Sequence, residues 1–507
     1  MSDLNHNLIH RWNAGDALRR SAARAPGQRA ILFQGRELSY AELDALSNRF
    51  ARLLMAKGTT RGDAVAIFAA NSPEFVAAFF ACARIGAVLV PINLMFTADD
   101  VDYVMAKTHV KVLLVEPMFL GKVNQSPEIQ ILMDGALRET LSSGDGSPVE
   151  QFVGSDDPLL TIFTSGTTAR PKGVVLTHLN FYASLLSSYA DYKADRTLRY
   201  GLVLPLFHIA GLALAFACYA TGCDSVMVPF AKADLILNAI VSGQVGTIAL
   251  PATLWVGLLN TPGIETADLS CLRRLLVFQY LPTPVFQRWR EMTPHAEWIN
   301  CWGQTETTGL GSATPAADLG SMLASPDPIG LRHMPVELRI VDDEMNDVAL
   351  GTPGEIVVRG PSLTPGYFEE PEANEALFRG GWHHTGDIAY IDDHGWLYFH
   401  DRKKDMIKSG GENISSQEVE ESIAQHPAVA EVAVIGLPDP YWIEKVVACV
   451  VALPNAEITG EELLVYTRSR LAGYKVPKQI HVMQELPKNP TGKVLKRVLR
   501  EKLAISN

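Results

Sequence analysis

Residues 159–176 read LLTIFTSGTTARPKGVVL, and the fold can be worked outward from this stretch. The apolar run over 159–163 has the outline of a buried strand. The ten residues from Thr164 to Gly173 then concentrate three threonines, one serine and two glycines, with positive charge at Arg170 and Lys172. Residues 174–176 return to an apolar, β-prone run. A loop of hydroxyls and accessible backbone N–H groups between two strands suits a polyphosphate. It is not a Walker A loop, because Gly166 and Gly173 are too far apart and Gly follows Lys172. A plain polar turn between two strands accounts for the same composition.

Upstream, short β-rich runs alternate with helical patterns. A strand over 30–33 precedes Ser39 and Glu42, which stand at capping-box spacing. Leu43, Leu46, Phe50 and Leu53 then recur as one face of a helix. A strand over 63–69, a helix over 72–85 and a strand over 87–91 follow. Thr97 and Asp100 cap the next helix, and 110–115 is another strand. This alternation predicts parallel sheets with helices on their faces; it resumes after Pro158 and runs to about residue 320. From about 329 the character changes: strands over 336–341 and 354–359 are joined by turns rich in Gly, Pro and Asp, which suggests an antiparallel subdomain. Residues 401–408 are strongly charged, and Ser409-Gly410-Gly411 breaks the chain. A compact α+β unit follows, with a helix over 417–426, strands over 432–435 and 446–452, a helix over 459–471 and a strand over 479–483. A charged, glycine-bearing segment between two self-sufficient units predicts a hinge.

The chain has 507 residues, 47% apolar and 20% charged. That leaves room for more than one folding unit and excludes a disordered chain, a collagen-like repeat and a small disulfide scaffold. The net charge is 44 − 56 = −12, so neither nucleic acid nor an anionic membrane is expected as the main partner. Six scattered cysteines form no C-x-x-C pair, which predicts free thiols in a reducing, cytoplasmic setting. The N-terminal MSDLNHNLIHRW carries no signal-peptide pattern. The uncharged run 201–223 is interrupted by Pro205, His208 and Gly211, and predicts a buried strand and helix rather than a membrane span. No repeat or coiled-coil seam points to an oligomeric state.

Three further segments carry chemistry-bearing residues. NCWGQTE (300–306) places the Glu306 carboxylate next to the Thr305 hydroxyl, a pattern able to hold Mg²⁺ on a phosphate, with Trp302 able to stack on a base. A core tryptophan and a solvated glutamate are the alternatives. HTGD (384–387) and DRKKD (401–405) offer Asp387 as an acceptor for two ribose hydroxyls, with Arg402 beside it; two charged turns would look the same. KNPTGK (488–493) places Lys493 behind a Pro/Gly turn, where solvated charge is the ordinary reading.

The four segments in this order resemble the adenylate-forming superfamily of acyl- and aryl-CoA synthetases, peptide-synthetase adenylation domains and firefly luciferase. The resemblance runs from about Leu38 to Lys493 and rests on TSGTTARPKG, WGQTE, TGD, DRKKDMIKSGGENIS and NPTGK together. It implies an α/β fold: a large N-terminal domain of two parallel-type sheets with helices plus a β-barrel-like subdomain (1–400), a hinge (401–410), and a small mobile α+β C-terminal domain (411–507). It implies ATP, Mg²⁺ and coenzyme A as cofactors, and a small carboxylic acid as substrate. The carboxylate would attack the α-phosphate of ATP to give an acyl-adenylate and pyrophosphate. The thiol of coenzyme A would then give a thioester and AMP.

The same resemblance distributes roles. Thr164, Ser165, Gly166, Thr167, Thr168 and Lys172 would hold the β- and γ-phosphates. Glu306 would bind Mg²⁺, Thr305 the α-phosphate, and Trp302, with Gly303 and Gln304 beside it, the adenine. Asp387 and Arg402 would hold the ribose, and Lys493 would bridge the carboxylate and the α-phosphate. Lys404 would be the hinge about which the small domain rotates to remove Lys493 and bring in the 409–412 loop with Gly410 and Gly411. His208 would line the acyl pocket. Where many relatives have small residues, this chain has Gln279-Tyr280-Leu281, which predicts a shortened acyl pocket and a short-chain or aromatic acid over a long-chain one. Ala169 replaces a common Gly without touching a role. Loading of a separate carrier-protein thiol is the alternative within this chemistry, and the chain's end soon after Lys493 favours coenzyme A; a non-catalytic nucleotide-binding sensor is the alternative of another class.

Overall fold

In the computed structural model, which describes residues 3–164, 170–192, 194–278, 281, 283–309, 311–314, 328–410, 412–453, 456–488 and 493–504, the capping signals open the helices they predict. The Ser39 Oγ accepts the Glu42 N–H at 3.3 Å, and the Glu42 carboxylate accepts the Ser39 N–H at 2.7 Å, at the start of the helix Tyr40–Ala56. Thr97 and Asp100 repeat the arrangement at the helix Ala98–Lys107. Each such cap satisfies amide groups that a helix end would otherwise leave open, about 1 kcal/mol per cap. Leu43, Leu46 and Phe50 are buried as the stripe requires; Leu53 is only half-buried, and Leu54 takes the inner position.

Two sheets sandwich the helices. One runs, in spatial order, Gly366–Tyr367, Lys172–Thr177, Pro158–Thr164, Val88–Pro91, Ala64–Phe68, Val112–Val115 and Ile129–Leu132. It is parallel except at the edge formed by Lys172–Thr177 and Gly366–Tyr367. The second has thirteen strands among the described residues. Its parallel part comprises Glu297–Gly303, Arg274–Phe278, Thr247–Pro251, Tyr200–Leu202, Ser225–Met227 and Arg29–Phe33. Every residue of the helix Pro73–Ile85 is buried between the sheets; it is apolar but for Glu74 and Arg84 at its ends, which pair with Arg36 and Asp44. Phe79, Phe181 and Phe216 tie it to the helices His178–Ala190 and Ile209–Thr221 through ring contacts of 5.4 to 6.5 Å. Each fully buried Phe contributes about 1.5–3 kcal/mol of transfer free energy.

The antiparallel subdomain is not set apart from the large sheet. Gly311–Ala313, Pro328–Arg332, Leu397–Arg402, His383–Ile391, Gly354–Arg359 and Glu337–Val341 continue it edge to edge. The uncharged run 201–223 resolves into the end of the strand Tyr200–Leu202 and the buried helix Ile209–Thr221. Among the described residues no helix is long and apolar enough to cross a membrane.

The last strand of the large sheet ends at Arg402, and the first strand of a third, five-stranded sheet, Ile407–Ser409, begins five residues later. The chain turns over 403–406, so the charged segment contributes strands on both sides rather than a loose linker. The third sheet pairs Glu412–Ile414, Ile407–Ser409, Ile443–Ala452, Val429–Asp439 and Gln479–Met483. The strand Val429–Asp439 is much longer than the sequence pattern suggests, because its polar outer end pairs with Ile443–Ala452 through backbone bonds that do not depend on apolar side chains.

Candidate active site

Thr164 and Lys172 face each other across the hairpin of Pro158–Thr164 and Lys172–Thr177. The expected phosphate contacts at Ser165, Gly166, Thr167 and Thr168 lie outside the described residues, as do Gly411, Gln279 and Tyr280. Lys172 Nζ sits 5.4 Å from the centre of the Tyr367 ring, a cation–π distance. Tyr367 comes from the short strand that pairs with Lys172–Thr177. Its hydroxyl donates to Glu306 Oε1 at 2.9 Å. Burial, and secondarily the Glu306 carboxylate, push that hydroxyl's pKa well up, so it stays a donor. Tyr367 therefore joins the loop lysine to the candidate metal carboxylate. Nothing in its sequence spacing marks it; only sheet pairing brings it there.

The WGQTE segment continues the strand Glu297–Gly303 into one 3₁₀ turn, Thr305–Thr307. Thr305 is buried and Glu306 half-buried. Thr364 N–H donates to the Glu306 carbonyl at 2.8 Å, which fixes the backbone beneath the carboxylate. Positive φ at Thr308 and Gly309 reverses the chain immediately afterwards.

Asp387 collects the neighbouring elements. Its Oδ2 accepts the Trp302 indole N–H at 2.9 Å and the Gln304 amide at 2.7 Å; the same amide reaches the Thr385 carbonyl at 2.8 Å. Asp387 lies opposite Arg402 in the pairing of His383–Ile391 with Leu397–Arg402, and Arg402 Nε stands 3.1 Å from Asp387 Oδ1. That Oδ1 is buried and takes no aligned hydrogen bond among the described residues. A buried carboxylate oxygen with a spare lone pair beside a guanidinium suits vicinal hydroxyls. The Trp302 ring packs against Gly311, where a Cβ would lie 2.1 Å from the indole. Trp302 thus has a role the sequence did not suggest, orienting Asp387.

Lys493 is half-buried and comes from the small lobe. It lies close enough to Arg402, Asp387, Lys404 and Asp405 to feel their charges. Burial, then the Arg402 and Lys404 cations, push its ammonium down to about 7, with Asp387 and Asp405 opposing. His208 faces the same space: burial first, then the Lys493 charge, push its imidazole down to about 4. His208 Nδ1 accepts the Ala210 N–H at 3.2 Å and caps the helix Ile209–Thr221. Gly211 follows because a Cβ there would lie 2.2 Å from the Pro205 carbonyl oxygen. Lys493, Arg402, Asp387 and His208 are therefore brought together from four separate stretches of chain.

Contacts beside the turn hold the small lobe in this orientation. Asp401 Oδ2 accepts the Ser416 N–H at 2.6 Å and the Ser416 hydroxyl at 2.9 Å. Lys496 bonds to Ser416 Oγ and Glu420, and Arg500 pairs with Asp405 at 2.9 Å. Lys404 sits exposed in the turn between the two sheets. Gly410 is not at the site; with φ +61° it packs beside Trp442 and donates its N–H to the Trp442 carbonyl at 2.8 Å.

No cluster of three or more His, Cys, Asp or Glu able to hold a metal occurs among the described residues. Glu306, with one oxygen braced by Tyr367, fits the way Mg²⁺ is bound by one or two carboxylates together with substrate phosphates and water.

Comparison with known proteins agrees with this geometry. The family model described as AMP-binding enzyme matches residues 18–368, and the AMP-binding enzyme C-terminal domain matches 418–493. Indoleacetate–CoA ligase of Aromatoleum aromaticum is 34% identical, covering 96% of this chain and 97% of its own. A long-chain-fatty-acid–CoA ligase of Mycobacterium tuberculosis is also 34% identical, covering 96% and 98%. The structure of the anthranilate CoA ligase AuaEII in complex with anthranoyl-AMP superimposes with a TM-score of 0.91 at 26% identity, covering 98% of each chain. The chain belongs to the AMP-binding enzyme family, the adenylate-forming superfamily, and is an AMP-forming acid–thiol ligase that uses ATP to convert a carboxylate to its acyl-adenylate and then to an acyl-CoA thioester.

Proposed function

We propose that this ligase activates an aromatic or short carboxylic acid in the cytoplasm and that Lys493, Asp387, Arg402 and His208 form the centre of its adenylation site. The convergence of these four side chains carries the reading. Carboxylate and triphosphate are both anions, so their approach needs local positive charge and in-line positioning. Lys493 places its ammonium between them and stabilises the charge that builds on the α-phosphate oxygens as pyrophosphate leaves. Asp387 and Arg402 hold the ribose, Trp302 lies against the adenine with Gly303 and Gln304 beside it, Thr305 holds the α-phosphate, and Lys172 with the 164–168 loop holds the outer phosphates. Mg²⁺, when bound through Glu306 and phosphate oxygens, supplies further charge neutralisation.

The second step needs a thiol in place of the lysine. Rotation about Lys404 would withdraw Lys493 and bring the Gly410-Gly411 turn to the site. The 403–406 turn between two sheets supports that pivot. The thiolate then attacks the acyl carbonyl and AMP leaves. The preference for a compact acid is supported by the sequence, which carries Gln279-Tyr280-Leu281 where many relatives have small residues. It is also supported by relatives and neighbours named for indoleacetate and anthranilate. The cytoplasmic setting is supported by six unpaired cysteines, five of them buried.

A panel of carboxylic acids assayed for AMP release, with and without coenzyme A, tests the reading. Aryl and short acids should turn over with the higher kcat/KM. A higher value for palmitate would overturn the substrate assignment.

A further inference from the structure

Glu355, in the strand Gly354–Arg359, belongs to none of the motifs singled out in the sequence, yet it is buried to 5% exposure. A buried carboxylate stays charged only where partners hold it. Its Oε1 accepts the Gly386 N–H at 3.1 Å, and its Oε2 lies 3.0 Å from Lys403 Nζ and 3.2 Å from His384 Nδ1. Lys403 also donates its backbone N–H to the Gly386 carbonyl at 2.9 Å. Its second ionic partner, Asp343 at 2.7 Å, is largely exposed and holds it weakly. Burial opposes the charge on Glu355, but the bonds from Lys403 and His384 outweigh it and keep the carboxyl below its usual range.

These bonds sit where the ribose pair meets the turn between the two sheets. Gly386, at φ +68°, immediately precedes Asp387; Arg402, which pairs with Asp387 across the two strands, immediately precedes Lys403. Glu355 thus fastens the residue beside each member of the pair. On the far side of Lys404, Asp405 is held by Arg500 of the small lobe at 2.9 Å. The Asp405 and Met406 N–H groups close the turn on the Arg402 carbonyl at 2.8 and 3.0 Å. Rotation about Lys404 has to open those two bonds, and in doing so it pulls on Arg402. A hinge takes up its φ/ψ change at the residues least held by their surroundings. With Lys403 fastened, the change falls at Lys404 and beyond it; with Lys403 loose, it spreads to 403 and draws the Arg402 guanidinium away from Asp387.

We propose that Glu355 is a positioning residue that fastens Lys403 to the Gly386 turn, so that the small lobe swings from Lys404 while Asp387 and Arg402 keep their grip on the ribose of the acyl-adenylate. The inference rests on the Lys404 pivot and the ribose roles given above, and adds what retains the intermediate through the rotation. Glu355 acts through Lys403 and Gly386 and touches no reacting atom.

The test measures free acyl-adenylate per thioester formed, in ultrafiltrates taken during turnover with coenzyme A, using an acid that the carboxylate panel shows to be turned over. The KM for ATP in the adenylation half-reaction is measured beside it. Lys403→Met and Glu355→Gln should each raise the ratio about three- to tenfold while the KM for ATP stays within about twofold. Glu355→Gln keeps an amide oxygen for the Gly386 N–H and loses only the charge that holds Lys403. The double variant should add little to either single change, because both break one interaction. Lys403→Arg, which keeps the cation, should restore a low ratio. The Lys403 side chain is half-exposed, so Lys403→Met decides the matter if Glu355→Gln does not fold. A purely structural lesion would slow both half-reactions and leave the ratio unmoved. That result, or a KM for ATP that rises in step with the leak, overturns the inference while the pivot reading stands. If Lys493→Ala costs both half-reactions equally, the pivot reading fails and the inference with it.

Discussion

The Tyr367 hydroxyl donates to Glu306 Oε1 at 2.9 Å while its ring lies under Lys172 Nζ, so one side chain braces both the candidate metal carboxylate and the phosphate-loop lysine. Tyr367→Phe keeps the ring and removes only the hydrogen bond. Glu306 then loses its fixed orientation, and the KM for MgATP should rise roughly three- to tenfold, in line with the net worth of one ordinary hydrogen bond, about 0.5–1.5 kcal/mol. The increase should shrink at high free Mg²⁺. An unchanged dependence of rate on Mg²⁺ would remove Tyr367 from this role.

Gly311 is required by the Trp302 ring. A Cβ there would lie 2.1 Å from the indole, so Gly311→Ala must push the ring away. Overpacking of this kind costs about 1–3 kcal/mol, and displacement would break the Trp302–Asp387 bond. A lower apparent melting temperature together with a raised KM for ATP is expected from thermal scans and kinetics. A change in melting temperature with an unaltered KM would separate the ring's packing from nucleotide binding.

Lys493→Ala should lower adenylate formation about 10²- to 10³-fold, the usual effect of removing one preorganised group that stabilises developing charge. Thioester formation from supplied acyl-adenylate should persist at near the normal rate, because in the proposed domain alternation Lys493 has left the site before that step. Equal loss of both half-reactions would argue against domain alternation.

The Lys493 ammonium, pushed down from 10.5 to about 7, should regain its proton when anions arrive. Below about pH 7 it is already charged and little uptake is expected. Above that pH, binding of the acid and a non-hydrolysable ATP analogue should take up as much as one proton. Isothermal titration at pH 8.5 in buffers of different ionisation enthalpy reads this directly, and Lys493→Met should abolish it. Identical apparent heats in both buffers for the unmodified enzyme would contradict the lowered value. The same shift acts on docking of the lobe: its cost is full below about pH 7 and is relieved as pH rises toward 10.5.

Helix starts at Ser39 and Thr97, the strand–helix alternation and the strands flanking the loop between Thr164 and Lys172 were legible in the sequence, because capping and periodicity act between residues a few positions apart. Lys493, Asp387 and Glu306 were legible as chemistry, since their residue types and order match a family pattern. What only the tertiary structure decided was the company they keep. Tyr367 reaches Glu306 through pairing at a sheet edge, Trp302 reaches Asp387 across 85 residues of chain, and Glu355 reaches Lys403 across 48. Such contacts depend on how elements stack and which faces turn inward. Burial then fixes their electrostatics, lowering Lys493 and His208, and burial is a property of the assembled molecule that no local run of residues encodes.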